Sequence, residues 1–185
     1  MPSIGSIYIS KMIDVMIDYQ KKNEVKGMCI NNSMLLCSLM KSIGLHSEIM
    51  PCFVIAETAV GETQMILHMV VKVTKPNEPV SLLDPSHEVA QHEYVSYFAE
   101  FAQYKKAYDG IEEHLKRRGV ECREEGMTPK SQLSKYIEFK EFADEYNSET
   151  STRRIPADEY YLELREYMNQ HILKIQEECV EICGI

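Results

Sequence analysis

Positive charge is in deficit in this chain of 185 residues. Lys and Arg number 20 against 29 Asp and Glu, a net charge of −9. Phosphate binding needs basic surface, so the balance argues against nucleic acid as a main partner and against an anionic membrane surface. Long apolar runs are missing too: no segment reaches the roughly 18 consecutive apolar residues of a membrane span. Met1-Pro2-Ser3-Ile4 has no basic segment ahead of an apolar core and does not read as a signal peptide. Neither CxxC nor HExxH occurs, so no metal site is expected and no cofactor is implied. Internal repeats and low-complexity tracts are absent as well.

What is present is ordinary for a soluble globular protein: 44% hydrophobic and 26% charged residues. The length suffices for one well-buried core and is marginal for two. Six cysteines, Cys29, Cys37, Cys52, Cys122, Cys179 and Cys183, could form three disulfides. Several of them sit inside apolar patterns and no secretion signal is seen, so reduced thiols and a cytoplasmic setting are expected. Cys179 and Cys183 share a helix face at a spacing of four and are expected to pack.

Hydrophobic periodicity predicts helices over 4–22 and from Cys29 to about Ile43, the second stopped by Gly44. Strand-like runs follow from Glu48 to Ala56, with Pro51 marking an edge or bulge, from Met65 to Thr74, and from Val80 to Leu83. Turns at Val60-Gly61-Glu62-Thr63 and Lys75-Pro76-Asn77-Glu78-Pro79 make these an antiparallel meander. A helical stretch is expected from Tyr94 to about Arg118, interrupted by Gly119 and Glu124-Glu125-Gly126. A helix over 131–146, a polar loop over 147–154 and a last helix from Ala157, with Pro156 near its start, complete the reading. The order predicts an α+β fold rather than an alternating βαβ chain. Residues 1–95 read as a core and 96–185 as a helical extension packed on it.

Three short stretches carry chemistry: Gly27-Met28-Cys29, the strand containing His68, and Leu83-Asp84-Pro85-Ser86. They supply a thiol, an imidazole and a carboxylate. A thiol is a strong nucleophile only as thiolate, which a neighbouring imidazole favours. The imidazole needs a partner that fixes its tautomer and orientation. Cys29 falls at a helix start, where free amides stabilise an anion or an oxyanion. His68 reads as lying early in its strand and Asp84 follows the next, so antiparallel pairing brings them to one edge of the sheet. Gln20, Asn23, Asn31 and Asn32 are candidate oxyanion or substrate contacts. His87 and His92 compete with His68 as base, while His46, His114 and His171 read as solvated.

In this order the residues resemble the transglutaminase-like superfamily, a branch of the papain-like thiol enzymes. The resemblance rests on Gly27-Met28-Cys29 leading a helix, Ser42-Ile43-Gly44-Leu45 running into a strand, His68-Met69-Val70-Val71-Lys72-Val73, and Leu83-Asp84-Pro85-Ser86. It covers roughly residues 25 to 90. It implies a papain-like core, a Cys29–His68–Asp84 triad and acyl transfer through a Cys29 thioester, with a peptide or protein substrate. The chain departs from the family in two ways. It has no Trp, so Met69 and Val70 replace the aromatic of the H-x-W-V-x-V pattern. The Cys–His and His–Asp intervals, 68 − 29 = 39 and 84 − 68 = 16, are short for the family. An arylamine-acetyltransferase-like enzyme uses the same order of residues, and a non-catalytic interaction module could retain the core.

Overall fold

The computed structural model describes residues 4–59, 63–119, 128–148 and 158–183. Six helices and four strands occur among them. Helix α1 (Ile4–Lys22) and helix α2 (Cys29–Ser42) come first. Strands β1 (His46–Glu57), β2 (Thr63–Thr74) and β3 (Ser81–Leu83) follow. The short helix α3 (His87–Ala90) and strand β4 (Tyr94–Phe98) precede helices α4 (Phe101–Arg117), α5 (Pro129–Asn147) and α6 (Glu159–Cys183). The fold is α+β, with one antiparallel sheet in the order β3-β2-β1-β4.

Local chemistry sets the element ends. Gly44 (φ +83°) closes α2: its N–H donates to Lys41 O and the Leu45 N–H to Met40 O, so the last carbonyls are satisfied. Thr128 caps α5 through the Ser131 N–H, with Pro129 in the first turn. Pro51 is buried within β1, two residues before the stretch Phe53–Glu57 that pairs with β4. Its missing N–H therefore faces no strand. Two residues earlier the same edge is closed by a side chain: Asn147 accepts from the Ile49 N–H (2.9 Å) and donates to the Ile49 carbonyl (2.8 Å).

Alternation divides the sheet. Odd-numbered residues of β1 and β2 face the helices. Ile49, Met69, Val71 and Val73 pack with Met12 and Met16 of α1, Leu36 and Met40 of α2, and Leu164 and Met168 of α6. Phe53, Ile55 and Met65 meet Tyr104 and Tyr108 of α4 farther along, with Phe53 stacked on Tyr104 (4.5 Å) and Tyr136 (4.9 Å). The even-numbered face carries Cys52, Val54, Ala56 and Val70, packed with Val89 of α3 and Val95 and Tyr97 of β4.

Two expectations need correction. Tyr94–Phe98 is a strand, not the start of a helix, and pairs with β1. Its aromatic spacing of four mimics a helical period, but one turn is too short to outweigh sheet pairing. His68 lies mid-strand, because β2 begins at Thr63. Residue 95 itself lies within β4. The turn residues 60–62, Cys122, the Glu124-Glu125-Gly126 break and Pro156 lie outside the described residues. No helix among the described residues is long and apolar enough to cross a membrane.

Candidate functional site

The backbone brings His68 and Asp84 together through register. Leu83, the last residue of β3, stands opposite Val71 of β2. The chain leaves the sheet there, and the next residue turns its carboxylate towards His68, three positions from Val71 on β2. The His68 Nε2–H donates to Asp84 Oδ1 at 2.9 Å. The Ser86 N–H donates to the same oxygen at 3.0 Å, and the Tyr97 hydroxyl donates to Oδ2 at 2.8 Å. His68 is 3% exposed and the Asp84 side chain 10%, so the pair is withdrawn from water.

Cys29 is the accessible member, half-buried at the first position of α2. It acts on the His68 ring, raising the affinity of the imidazole for its proton. With Nε2 committed to Asp84, the nitrogen left for the sulfur is Nδ1. Ser33, one turn along α2, donates to the Met69 carbonyl at 2.8 Å and pins the helix start beside the His68 strand. The turn before α2 is held in the same way. Gly27 adopts φ +71° and its N–H donates to Glu88 Oε2 at 2.7 Å. Met28, the N-cap, offers no side-chain acceptor to the first turn. The opening amides of α2 are therefore not capped from Met28.

The electrostatics follow from burial and pairing. Desolvation opposes a charge on His68, yet the hydrogen bonds and charges of Asp84 and Cys29 outweigh it and lift the imidazole to about 10. That direction favours the imidazolium form. Burial, reinforced by Asp84, pushes the Tyr97 phenol well above its ordinary value and keeps it an O–H donor. Cys52 stands opposite His68 in the β1–β2 register and is fully buried. Burial, with Asp84 and Cys29 nearby, pushes its thiol far up, so it stays protonated.

The polar candidates near the thiol prove to be engaged. Gln20 is 2% exposed, and all four of its hydrogen-bonding positions are used. Its amide donates to Met16 O and Pro85 O, while Oε1 accepts from Asn32 Nδ2 and the His87 N–H. It braces α1, α2 and the Asp84 loop against each other and has no donor left for an oxyanion. Asn32 in turn accepts from the Tyr160 hydroxyl of α6. Asn31 donates to Asp158 Oδ2 (2.6 Å), and the other Asp158 oxygen accepts the Tyr161 N–H (2.8 Å). Asn23 donates to Tyr19 O at the exposed end of α1. Neither His87 nor His92 makes a side-chain bond to Asp84; the Nδ1 of His92 is buried without a partner. His171 is not simply solvated: its ring lies 4.1 Å from Tyr167 and donates to that residue's carbonyl.

Sequence reasoning missed Tyr97 and Asp158. Tyr97 was read as helical, and Asp158 reaches its partner across 127 residues, so neither left a local signal. Among the described residues, no group of three His, Cys, Asp or Glu is placed to hold a metal ion. The chain matches no protein-family model, no curated protein and no solved structure.

Proposed function

We propose that this chain is a cysteine-dependent acyl-transfer enzyme, a thiol hydrolase or acyltransferase with a transglutaminase-like core. The observation that carries this reading is the imidazole of His68, bonded through Nε2 to Asp84 at 2.9 Å, with Cys29 close enough to act on the same ring. An imidazolium beside a sulfur favours thiolate. A buried carboxylate on the far nitrogen fixes the ring and stabilises its charge.

In this reading the Cys29 thiolate attacks the carbonyl carbon of a peptide amide or an ester. The negative charge that develops on oxygen is met by opening amides of α2. The carbon–nitrogen or carbon–oxygen bond then breaks, and His68 delivers its proton to the leaving group. That step leaves a Cys29 thioester and a neutral imidazole. Water or an amine gives up a proton to His68, attacks the thioester and releases the sulfur as thiolate. Asp84 keeps its three hydrogen bonds throughout and moves no proton.

Intact-mass measurement after incubation with peptide and thioester libraries tests the proposal. A covalent acyl adduct on Cys29, absent from the Cys29→Ala variant, is the expected result. No adduct from any acyl donor, with Cys29 no more reactive than Cys122, would point to an interaction module that keeps this core for folding.

A further inference from the structure

A carboxylate that orients a histidine must itself be held, and three donors converge on Asp84. His68 Nε2–H and the Ser86 N–H share Oδ1, while the Tyr97 hydroxyl alone takes Oδ2. The first two come from β2 and from the segment that carries Asp84. Tyr97 approaches from β4, at the other end of the sheet order. We propose that Tyr97 is a positioning residue, whose hydroxyl locks the Asp84 carboxylate so that one chosen oxygen is aimed at His68. Its use in catalysis rests on the acyl-transfer reading; its geometry does not.

The physical reason lies in the symmetry of a carboxylate. Its two oxygens are chemically equivalent, and rotation about the Cβ–Cγ bond exchanges them. Two bonds to one oxygen leave that rotation open, whereas a third bond to the other closes it. Tyr97 is well suited to this because its ring is fixed independently. It stands opposite Val54 in the β1–β4 register and packs against the Cys52, Val54, Val70 and Val89 cluster. A hydroxyl on a packed ring is a donor whose position does not depend on the group it holds. The titratable groups that interact with this carboxylate are His68 from β2, Cys52 from β1 and Tyr97 itself, and Cys29 from α2 acts on the His68 that it orients.

Tyr97→Phe keeps the ring and deletes the hydroxyl. The test is the His68 ring N–H proton resonance of the full chain, labelled with nitrogen-15 histidine, in wild type and Tyr97→Phe. Loss of a charge-assisted hydrogen bond predicts a shifted resonance and about tenfold faster exchange with water. The same shift and exchange rate in both proteins would overturn the proposal. Should Tyr97→Phe fail to fold, Asp84→Asn reads the contact from the other side. The Tyr97 phenol, followed by its carbon-13 Cζ signal, is expected to ionise at lower pH in that variant, and an unchanged titration would overturn the proposal equally. Alkylation of Cys29 in the same wild-type sample separates the two ideas. A thiol no more reactive than Cys122 defeats the acyl-transfer reading, while the resonances alone decide the role of Tyr97.

Discussion

The two faces of the sheet use the same strands for opposite ends. On the odd-numbered face, the side chains of Ile49, Phe53, Met69 and Val71 lie under long helices that meet them mostly with hydrocarbon and aromatic rings. On the even-numbered face, His68 and Cys52 alternate with Val54, Ala56 and Val70. They lie beneath the Asp84 segment and a four-residue helix. A thick helical layer can bury apolar side chains but gives a charge no partner. A short covering segment brings backbone amides, a carboxylate and a phenol within reach of an imidazole. His68 and Cys52 therefore sit on the thinly covered face, while Cys29 comes from the start of α2, which packs on the other.

The sharpest way to break this division is Cys29→Ala. It is expected to abolish every acyl-enzyme adduct in mass spectrometry while changing stability by about 1 kcal/mol, since one half-buried thiol contributes little packing. Unfolding of that variant would make Cys29 a structural residue.

Phe53→Ala probes the other face. Removing a fully buried ring stacked on Tyr104 and Tyr136 is expected to cost about 3–5 kcal/mol in denaturant unfolding. Alkylation of Cys29 per folded molecule should stay unchanged. A parallel loss of reactivity would mean the two faces are not independent.

Gln20→Leu attacks the brace between them. It keeps the bulk of the side chain but removes four hydrogen bonds that join α1, α2 and the Asp84 loop. The carbonyls and N–H groups left unpaired should cost about 2–4 kcal/mol, and Cys29 alkylation at neutral pH should fall about tenfold. Lost stability with unchanged reactivity would confine Gln20 to packing.

A further test lies in the pH dependence of stability. The imidazole of His68 is raised to about 10 in the folded chain, against an ordinary value near 6.5. Its contribution to stability is complete below about pH 6.5 and is lost as pH rises towards 10, because the folded state holds a proton that the unfolded state has released. The melting temperature of the wild type should therefore fall between pH 7 and pH 10 more steeply than that of Asp84→Asn. Equal slopes would show that Asp84 does not sustain the charge on His68.

Part of this was legible in the sequence and part was not, for physical reasons. Cys29 and Asp84 could be singled out because each stands where an element starts or ends, and His68 because it interrupts the apolar run from Met65 to Val71. Strands β1, β2 and β3 announced themselves by β-branched runs between turn residues. Strand β4 did not: in Tyr94-Val95-Ser96-Tyr97-Phe98 the aromatic spacing fits a helix as well as a strand, and only its pairing with β1 decides. The error hid Tyr97 from view. Gln20 was read as a donor to substrate because it is polar and near the thiol in sequence. Its true partners, Pro85 O and the His87 N–H, lie 65 and 67 residues away, where no local pattern reaches. Long-range hydrogen bonds of this kind are set by the packing of α1 against the Asp84 loop.

The most direct measurement is the rate of Cys29 alkylation by iodoacetamide from pH 5 to pH 9, in wild type and in His68→Ala. A sulfur paired with an imidazolium should react fast at pH 6, more than tenfold above Cys122, and the excess should vanish in the variant. Equal rates at Cys29 and Cys122 across that range, or a rate at Cys29 that His68→Ala leaves untouched, would contradict the account.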